Sequence, residues 1–349
     1  MVARAGRVKC VVWDLDRTLL PGVVLERAGD RTPELNPGVR EVLTELHGRG
    51  ILNSIASRNP PELAASVVAA LPASFVAPQF GWGSKSDSLK RIADELNLDT
   101  ASLAFVDDDP YERAEVSFAL PQVMVLAPDE VAGALDWPEL SPVAVTEEGA
   151  RRAEAYLNAQ RRTVAFRSFG RDREAFHRYC ETTVGIAAAG PDDVPRLHEL
   201  SVRTSQFNST GAGMAEAELR SRIGSPPHRV ICLRLTDRFG DDGLVGSAVV
   251  ARGEGEWTVE LLMMSCRAMG RGVIETLLAE LATSAAEDGA AKLRIPLRVN
   301  DRNVPLRVAM VSAGFRADNG SVPIFVRSVT PQSGPQPAPP EWINLVRQS

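Results

Sequence analysis

The sequence predicts an α/β chain of two parts: a mostly parallel sheet flanked by helices, then a C-terminal α+β domain. Three observations lead there. At 349 residues and 37.6 kDa the chain exceeds most single cores and suits two domains. Its first part alternates short apolar runs with stretches of helical period, the pattern of right-handed βαβ units. From about residue 186 the pattern changes to successive strands with two or three helices.

Each element follows from its residues. The run 8–13 (VKCVVW) predicts a strand that stops at Asp14. Residues 39–48 predict a helix with Val42, Leu43 and Leu46 on one face. A second strand spans 51–56 and ends at Ser57. Helices are expected over 61–71 and 86–96, the latter with Leu89, Ile92, Ala93 and Leu96 in register. Apolar runs at 103–106 and 123–126 complete the sheet. The Arg- and Glu-rich stretch 143–185 reads as a linker built on one long surface helix. Beyond it lie a helix at 191–201 and strands at 230–235, 245–251, 257–264 and 292–297. A turn is expected at Asp241-Asp242-Gly243, and a helix over 272–285. The domain boundaries are therefore 1–142, 143–185 and 186–329, with a Pro-rich, extended and disordered tail over 330–349. There are no internal repeats.

Composition excludes several functions. Lys plus Arg is 39 and Asp plus Glu 45, a net charge of −6, which argues against a broad nucleic-acid-binding face. Aromatic residues are 5%, too few for stacking along single strands. The four cysteines form no C-x-x-C pair, so a zinc ribbon or redox dithiol is not expected. No apolar run suits a signal peptide or a membrane span, and the expected setting is the reducing cytoplasm.

The first chemical constellation lies at strand ends. Asp14 and Asp16 follow the first strand two residues apart, so both carboxylates point one way. Phosphoryl transfer through an aspartyl phosphate needs such a pair: one carboxylate attacks phosphorus, and the other protonates the leaving group and then activates water. Like charges this close call for a divalent cation, and Asp107, Asp108 and Asp109 end another strand with oxygens suited to Mg²⁺. Ser57 can donate to a phosphate oxygen, and Lys85 can neutralise one. Taken singly, D-x-D is mostly a solvated turn, Ser57 a helix cap and Lys85 a surface charge; their order along the chain carries the reading.

That order resembles the haloacid dehalogenase superfamily of phosphohydrolases. The resemblance implies a Rossmannoid sheet, with Asp14 as nucleophile and Asp16 as general acid/base. It places Thr18, Ser57, Arg58 and Lys85 around the phosphate, and gives Mg²⁺ to Asp14, Asp16 through its carbonyl, and Asp108, with Asp107 in support. About 40 residues separate Asp16 from Ser57, too few for a cap domain. The site is therefore expected to be open to a large or protein-borne substrate.

A second constellation is the segment MMSCRAMGRG. Arg267, Gly270 and Gly272 have the spacing of the R-x-x-G-x-G loop of the GCN5-related N-acetyltransferase fold, where backbone N–H groups at a helix N-terminus hold the pyrophosphate of coenzyme A or a pantetheine arm. Cys266, beside Arg267 and near that helix, is a candidate thiolate for holding an acyl group as a thioester; the alternative is a buried structural cysteine. The polar clusters around Asn208 and Thr210, and Asn300 to Asn303, are candidates for binding the acyl or pantetheine chain; each also reads as plain loop chemistry.

Together the halves are similar to the FkbH family, also described as class IIIC haloacid-dehalogenase-like proteins. The segments that carry this are VKCVVWDLDRTLLPGVVLE, GILNSIASRN, GWGSKSDSLKRIADELNL, LAFVDDDPYERAEVSFALPQV, RTSQFNSTG, LTDRFGDDGLVG, LLMMSCRAMGRGV and NDRN, spread over residues 7–328. The resemblance implies a glyceryl transferase–phosphatase. Such an enzyme takes the glyceryl unit of 1,3-bisphosphoglycerate, removes phosphate, and delivers it to the phosphopantetheine thiol of an acyl carrier protein, en route to methoxymalonyl extender units in polyketide biosynthesis. Nucleic acid and membrane are not expected partners. Two other readings stay open: a phosphatase on another small phosphate ester, and an acyl-CoA-dependent acyltransferase. A decayed carrier-docking module is a third. The chain departs from the family at Arg17, where Asn is common, at Leu19-Leu20, where Leu-Trp is common, at Leu15, where some members have Cys, and at Pro60-Pro61, where charged or polar residues are usual.

Overall fold

In the computed structural model, which describes residues 8–27, 33–141, 146–204, 206–300, 303–318 and 323–347, the chain divides into Met1–Leu157 and Asn158–Ser349. The division falls inside the stretch read as a linker.

The first unit runs β1 (Cys10–Trp13), α1 (Val39–Gly48), β2 (Leu52–Ser57), α2 (Pro61–Ala69), β3 (Gln79–Phe80), α3 (Lys85–Glu95), β4 (Leu103–Val106), α4 (Pro110–Ala119) and β5 (Met124–Leu126). Two short helices follow, α5 (Val131–Ala134) and α6 (Glu147–Ala150). The sheet order is β3-β2-β1-β4-β5, every pairing parallel. Its central strands β1, β2 and β4 are buried on both faces. Val11 and Trp13 enter one core with Leu43 and Leu46, while Cys10 and Val12 enter the other with Leu89 and Ile92. Pro60 and Pro61 open α2, Pro61 at the first helical position, where a missing N–H costs nothing.

The chain moves outward from β1 to β2 and β3, then returns to the other side of β1 for β4 and β5. The order therefore reverses between β1 and β4, and ligands of such sheets bind beyond the carboxyl ends of the strands at that reversal. Trp13 pairs with Val106, and the Asp14 N–H donates to the Val106 carbonyl at 2.8 Å. The two acidic strand ends are thus held side by side.

The predicted long helix is three helices: α6, then α7 (Arg152–Arg167) and α8 (Arg173–Cys180). Gly170, with φ 60°, ends the middle one, and Asp172 caps α8 by accepting from the Ala175 N–H at 2.9 Å. The second unit continues with β6 (Thr183–Ala188), α9 (Val194–Arg203), α10 (Glu216–Arg222), β7 (His228–Asp237), β8 (Gly240–Gly253), β9 (Glu256–Met264) and α11 (Val273–Glu287). It closes with β10 (Lys292–Pro296), α12 (Val304–Ser312), β11 (Arg316–Asp318), β12 (Ile324–Ser328) and β13 (Asn344–Arg347). The sheet order is β11-β12-β10-β9-β8-β7-β6-β13, antiparallel except for β9 with β10 and β6 with β13. An α+β unit thus follows the parallel sheet, as the strand pattern predicts.

Two local expectations are corrected. Asp241-Asp242-Gly243 lies inside β8, not at the hairpin turn. Asp237 makes that turn instead, its Oδ1 accepting from the N–H groups of Phe239 and Gly240, while Gly243 (φ 66°) sits where the β7–β8 register shifts. The tail is not a disordered extension either. After the Pro-rich stretch, Trp342 stacks on His177 with centroids 4.6 Å apart, Ile343 joins the core and β13 pairs in parallel with β6. Residues 344–347 pair in register with 183–186, so a short spacer delivers an edge strand.

Candidate functional site

The alternation of an extended chain points Asp14 and Asp16 to one side of β1, and both line a cavity of about 500 Å³ with Arg17, Arg58, Lys85, Asp107 and Asp108. Lys85 is the first residue of α3 and is buried. A lysine there opposes the helix dipole, so carboxylates must hold it. Its Nζ donates to Asp14 Oδ1 and, at 2.7 Å, to the Ala56 carbonyl, and lies 3.1 Å from Asp107 Oδ2. Burial pulls the Lys85 ammonium down, but Asp14 and Asp107 outweigh it and hold it above its ordinary value. Burial pushes the Asp14 carboxyl up to about 7, Lys85 opposing and Asp107 adding. Asp107 is likewise raised by burial.

Ligand oxygens of Asp14, Asp107 and Asp108 come within 4.8 Å of one another. Three hard oxygen donors, two of them buried with raised carboxyls, suit a Mg²⁺ ion. The Asp16 side chain is outside this group. Its Oδ1 accepts from the Val24 N–H and its Oδ2 from Asn59 Nδ2, each at 2.9 Å, which fixes the carboxylate toward the cavity.

The remaining predicted residues divide. Thr18 is buried and bonds Asp108, accepting from its N–H at 3.0 Å; it positions that carboxylate and does not line the cavity. Ser57, also buried, accepts from Asn59 Nδ2 at 2.9 Å. Arg58 lines the cavity and pairs with Glu112 at 2.5 Å. Sequence reading missed Asn59, which joins Ser57 to Asp16; its offset of two from Ser57 at a strand end was the available signal. It also missed Arg113, whose Nη1 donates to the Asp107 and Asp108 carbonyls at 2.7 and 2.8 Å. Arg17 stands in the left-handed region at φ 56°.

In the second unit Cys266 is half-buried and begins a single 3-10 turn. Helix α11 starts at Val273, so the thiol is not on its first turn. Arg267 Nε donates to Ser265 Oγ at 3.3 Å, and Arg267 and Gly270 line a second cavity. Gly272 is required by its φ of 77°, and the space a Cβ would need is filled by Ile343 and Pro340, 3.1 Å away. Asn208 and Thr210 serve their own loop. The Asn208 amide donates to Ser201 and Ala212 carbonyls, and its Oδ1 accepts from Thr210 and Gly211, so a fully bonded buried amide has no group left for a ligand. Asn300 Oδ1 accepts from the Asn303 N–H at 2.9 Å, the mark of a turn. Ser205, Asp301 and Arg302, part of the predicted polar clusters, lie outside the described residues.

No family model and no curated protein matches the chain. Among solved structures it is similar to the phosphatase-domain-containing N-terminal part of a Bacteroides fragilis protein complexed with Mg, at 26% identity, TM-score 0.32, over 37% of this chain and 40% of that one. The match thus spans well under two thirds of that protein. The chain is also similar to the ribosomal-protein-S18-alanine N-acetyltransferase of Escherichia coli, at 15% identity and TM-score 0.35, over 42% of this chain and 94% of that one. A third likeness is to the aminoglycoside acetyltransferase AAC(6')-Ib with acetyl-CoA, at 15% identity and TM-score 0.34, over 43% and 95%. Among the described residues no helix is long and apolar enough to cross a membrane.

Proposed function

We propose that the chain is a magnesium-dependent glyceryl transferase–phosphatase that loads a glyceryl unit from 1,3-bisphosphoglycerate onto the phosphopantetheine thiol of an acyl carrier protein. The observation that carries the phosphatase half is the meeting of Asp14, Lys85, Asp107 and Asp108 at the reversal of the parallel sheet, with Asp16 held two residues from Asp14. Asp14 attacks the phosphorus of the phosphate ester; the P–O bond to the glyceryl oxygen breaks, and that oxygen takes the proton of Asp16. Water then attacks the phosphorus of the aspartyl phosphate and gives a proton to Asp16; inorganic phosphate leaves and the Asp14 carboxylate is restored. Asn59 and the Val24 N–H keep Asp16 aimed for both transfers. Asp14, Asp107 and Asp108 would hold Mg²⁺, which supplies charge neutralisation for the phosphoryl oxygens. Lys85 orients Asp14 and offers positive charge to the same group.

For the transfer half, the Cys266 thiolate attacks the carbonyl carbon of the acyl phosphate and expels phosphate, forming a thioester. The carrier thiol then displaces Cys266. This half is supported by the resemblance of the SCR segment and by the accessibility of Cys266, half-buried where the other three cysteines are buried. Intact-mass spectrometry of a carrier protein incubated with the enzyme, Mg²⁺ and 1,3-bisphosphoglycerate tests the whole. The expected result is a gain of one glyceryl group, lost in Asp14→Asn in favour of a phosphoglyceryl adduct and lost altogether in Cys266→Ser. No adduct with the wild-type chain overturns the reading, and Cys266→Ser loading at the wild-type level removes the thioester.

A further inference from the structure

Asn53 is the second residue of β2 and is 5% exposed, an amide inside a strand whose every residue is buried. Its Oδ1 accepts from Trp13 Nε1 at 2.9 Å, and its backbone carbonyl accepts from the Val76 N–H at 2.9 Å. An indole N–H can only donate, so the amide oxygen has to face Trp13 and the amide nitrogen has to turn away from it. That nitrogen donates to no group among the described residues, although an unmatched donor in a buried place is costly. Asn53 lines a cavity of about 300 Å³ between α1, β2 and residues 72–74. The lining is short of acceptors, because no carboxylate contributes to it among the described residues. Arg40 lines it from the first turn of α1 and makes no ion pair among them. The Thr44 hydroxyl already donates to the Arg40 carbonyl at 2.8 Å, and His47 and Ser74 supply the other polar side chains. Leu35 and Leu43 give the same cavity an apolar wall.

We propose that this cavity binds a small organic carboxylate, its oxygens taking the Asn53 amide and the Arg40 guanidinium and its carbon chain lying against Leu35 and Leu43. The planar fork of an arginine matches a carboxylate. Arg40 is the permanent positive charge of the lining and balances one negative charge, so a monoanion fits better than a phosphate dianion. The cavity shares no lining residue with the one at Asp14, and its ligand takes no part in the phosphoryl chemistry there.

Proton–nitrogen correlation NMR of the full chain tests this at the Trp13 indole, assigned by comparison with Trp13→Phe. The probes are isovalerate, its uncharged isostere isovaleramide, and inorganic phosphate. A hydrogen bond from the amide nitrogen polarises the amide and strengthens the bond its oxygen accepts from Trp13. Isovalerate is therefore expected to move the indole resonance downfield and saturably. Isovaleramide is expected to bind about tenfold more weakly, and Arg40→Gln to weaken isovalerate about tenfold. Asn53→Asp keeps an oxygen for Trp13 and removes the donor, and is expected to abolish the shift. Where that variant does not fold, Arg40→Gln, at an exposed position, still decides. No saturable shift with isovalerate, or equal binding of the acid and its amide, overturns the proposal. So does inorganic phosphate binding more tightly than isovalerate, which assigns the cavity to a different anion. A shift that survives Arg40→Gln and disappears in Arg58→Gln also overturns it, because that binding belongs to the cavity at Asp14.

Discussion

Replacing Lys85 by Met probes the first unit most directly. The side chain is 4% exposed, with Asp14 at 11% and Asp107 at 2%, so water cannot take over the lost charge. Breaking a buried pair by removing one partner costs about 3–5 kcal/mol. Taking a cation away from the first turn of α3 returns about 0.5 kcal/mol, since it no longer opposes the helix dipole. The net loss is about 3 kcal/mol, which corresponds to roughly 10²-fold in an opening equilibrium. Amide exchange over residues 10–13 reads this locally, because β1 lies in the middle of the sheet next to the pair. Without divalent metal, exchange there is expected to quicken about 10²-fold. Added Mg²⁺ is expected to restore part of the protection by supplying charge to Asp14, Asp107 and Asp108. Phosphate release is expected to be lost under both conditions. A change below about threefold, or a variant that releases phosphate like the wild type, would refute the reasoning that Lys85 holds the two carboxylates.

Three further outcomes are expected. Arg17→Asn puts a residue that tolerates the left-handed region at φ 56°, and should raise the urea midpoint, a gain of about 1 kcal/mol; an unchanged or lower midpoint counts against backbone strain at that position. Gly272→Ala adds a Cβ against Ile343 and Pro340 at positive φ and should cost about 1–2 kcal/mol, with faster amide exchange in 344–347; intact protection there would show that the tail does not depend on this contact. Burial, with Arg173 adding, holds the His177 imidazolium below its ordinary value, so the folded chain disfavours the protonated form. The stability that neutral His177 confers is present above the unfolded pKa near 6.5 and is lost as pH falls below it, a loss that His177→Phe should abolish in urea titrations at pH 7.5 and 5.5.

The parallel sheet was legible in the sequence because buried strands leave short apolar runs, each stopped by a polar strand end such as Asp14, Ser57 or Asp107. Lys85 was legible by its order along the chain, although its burial was not, since that depends on Asp107 arriving from a strand nearly twenty residues later. Asn59 was hidden because an Asn beside two prolines reads as turn chemistry; its bond to Asp16 spans 43 residues of separation. The hairpin was misplaced at Asp241-Asp242-Gly243 because those residues favour turns, while Asp237, four residues before Asp241, closes the real one. The tail was misjudged on composition: its prolines hid the apolar residues Trp342, Ile343 and Leu345 that follow them.

The polar segment RTSQFNSTG bears on which chemistry the second unit can perform. β9 and β10 pair in parallel only from Glu256 to Thr258, after which the strands part. Residues 207–209 fill the place between them. The Ser209 N–H donates to the Leu262 carbonyl and Ser209 Oγ accepts from the Leu262 N–H, each at 2.9 Å. The Met264 N–H donates to the Phe207 carbonyl, and the Arg298 N–H, just past β10, to the Ser209 carbonyl. An amide-bearing arm that docked along β9 as a strand would have to displace these bonds, each worth about 1 kcal/mol net, and would expose the buried Asn208 with its five hydrogen bonds. An acyl-CoA-dependent transfer along this strand therefore predicts that acetyl-CoA accelerates exchange of the Leu262 and Met264 amides. The carrier-loading reading, which brings its acyl group to Cys266 from an acyl phosphate, predicts that both amides stay protected at saturating acetyl-CoA. Loss of that protection would transfer the argument to the acyl-CoA enzyme.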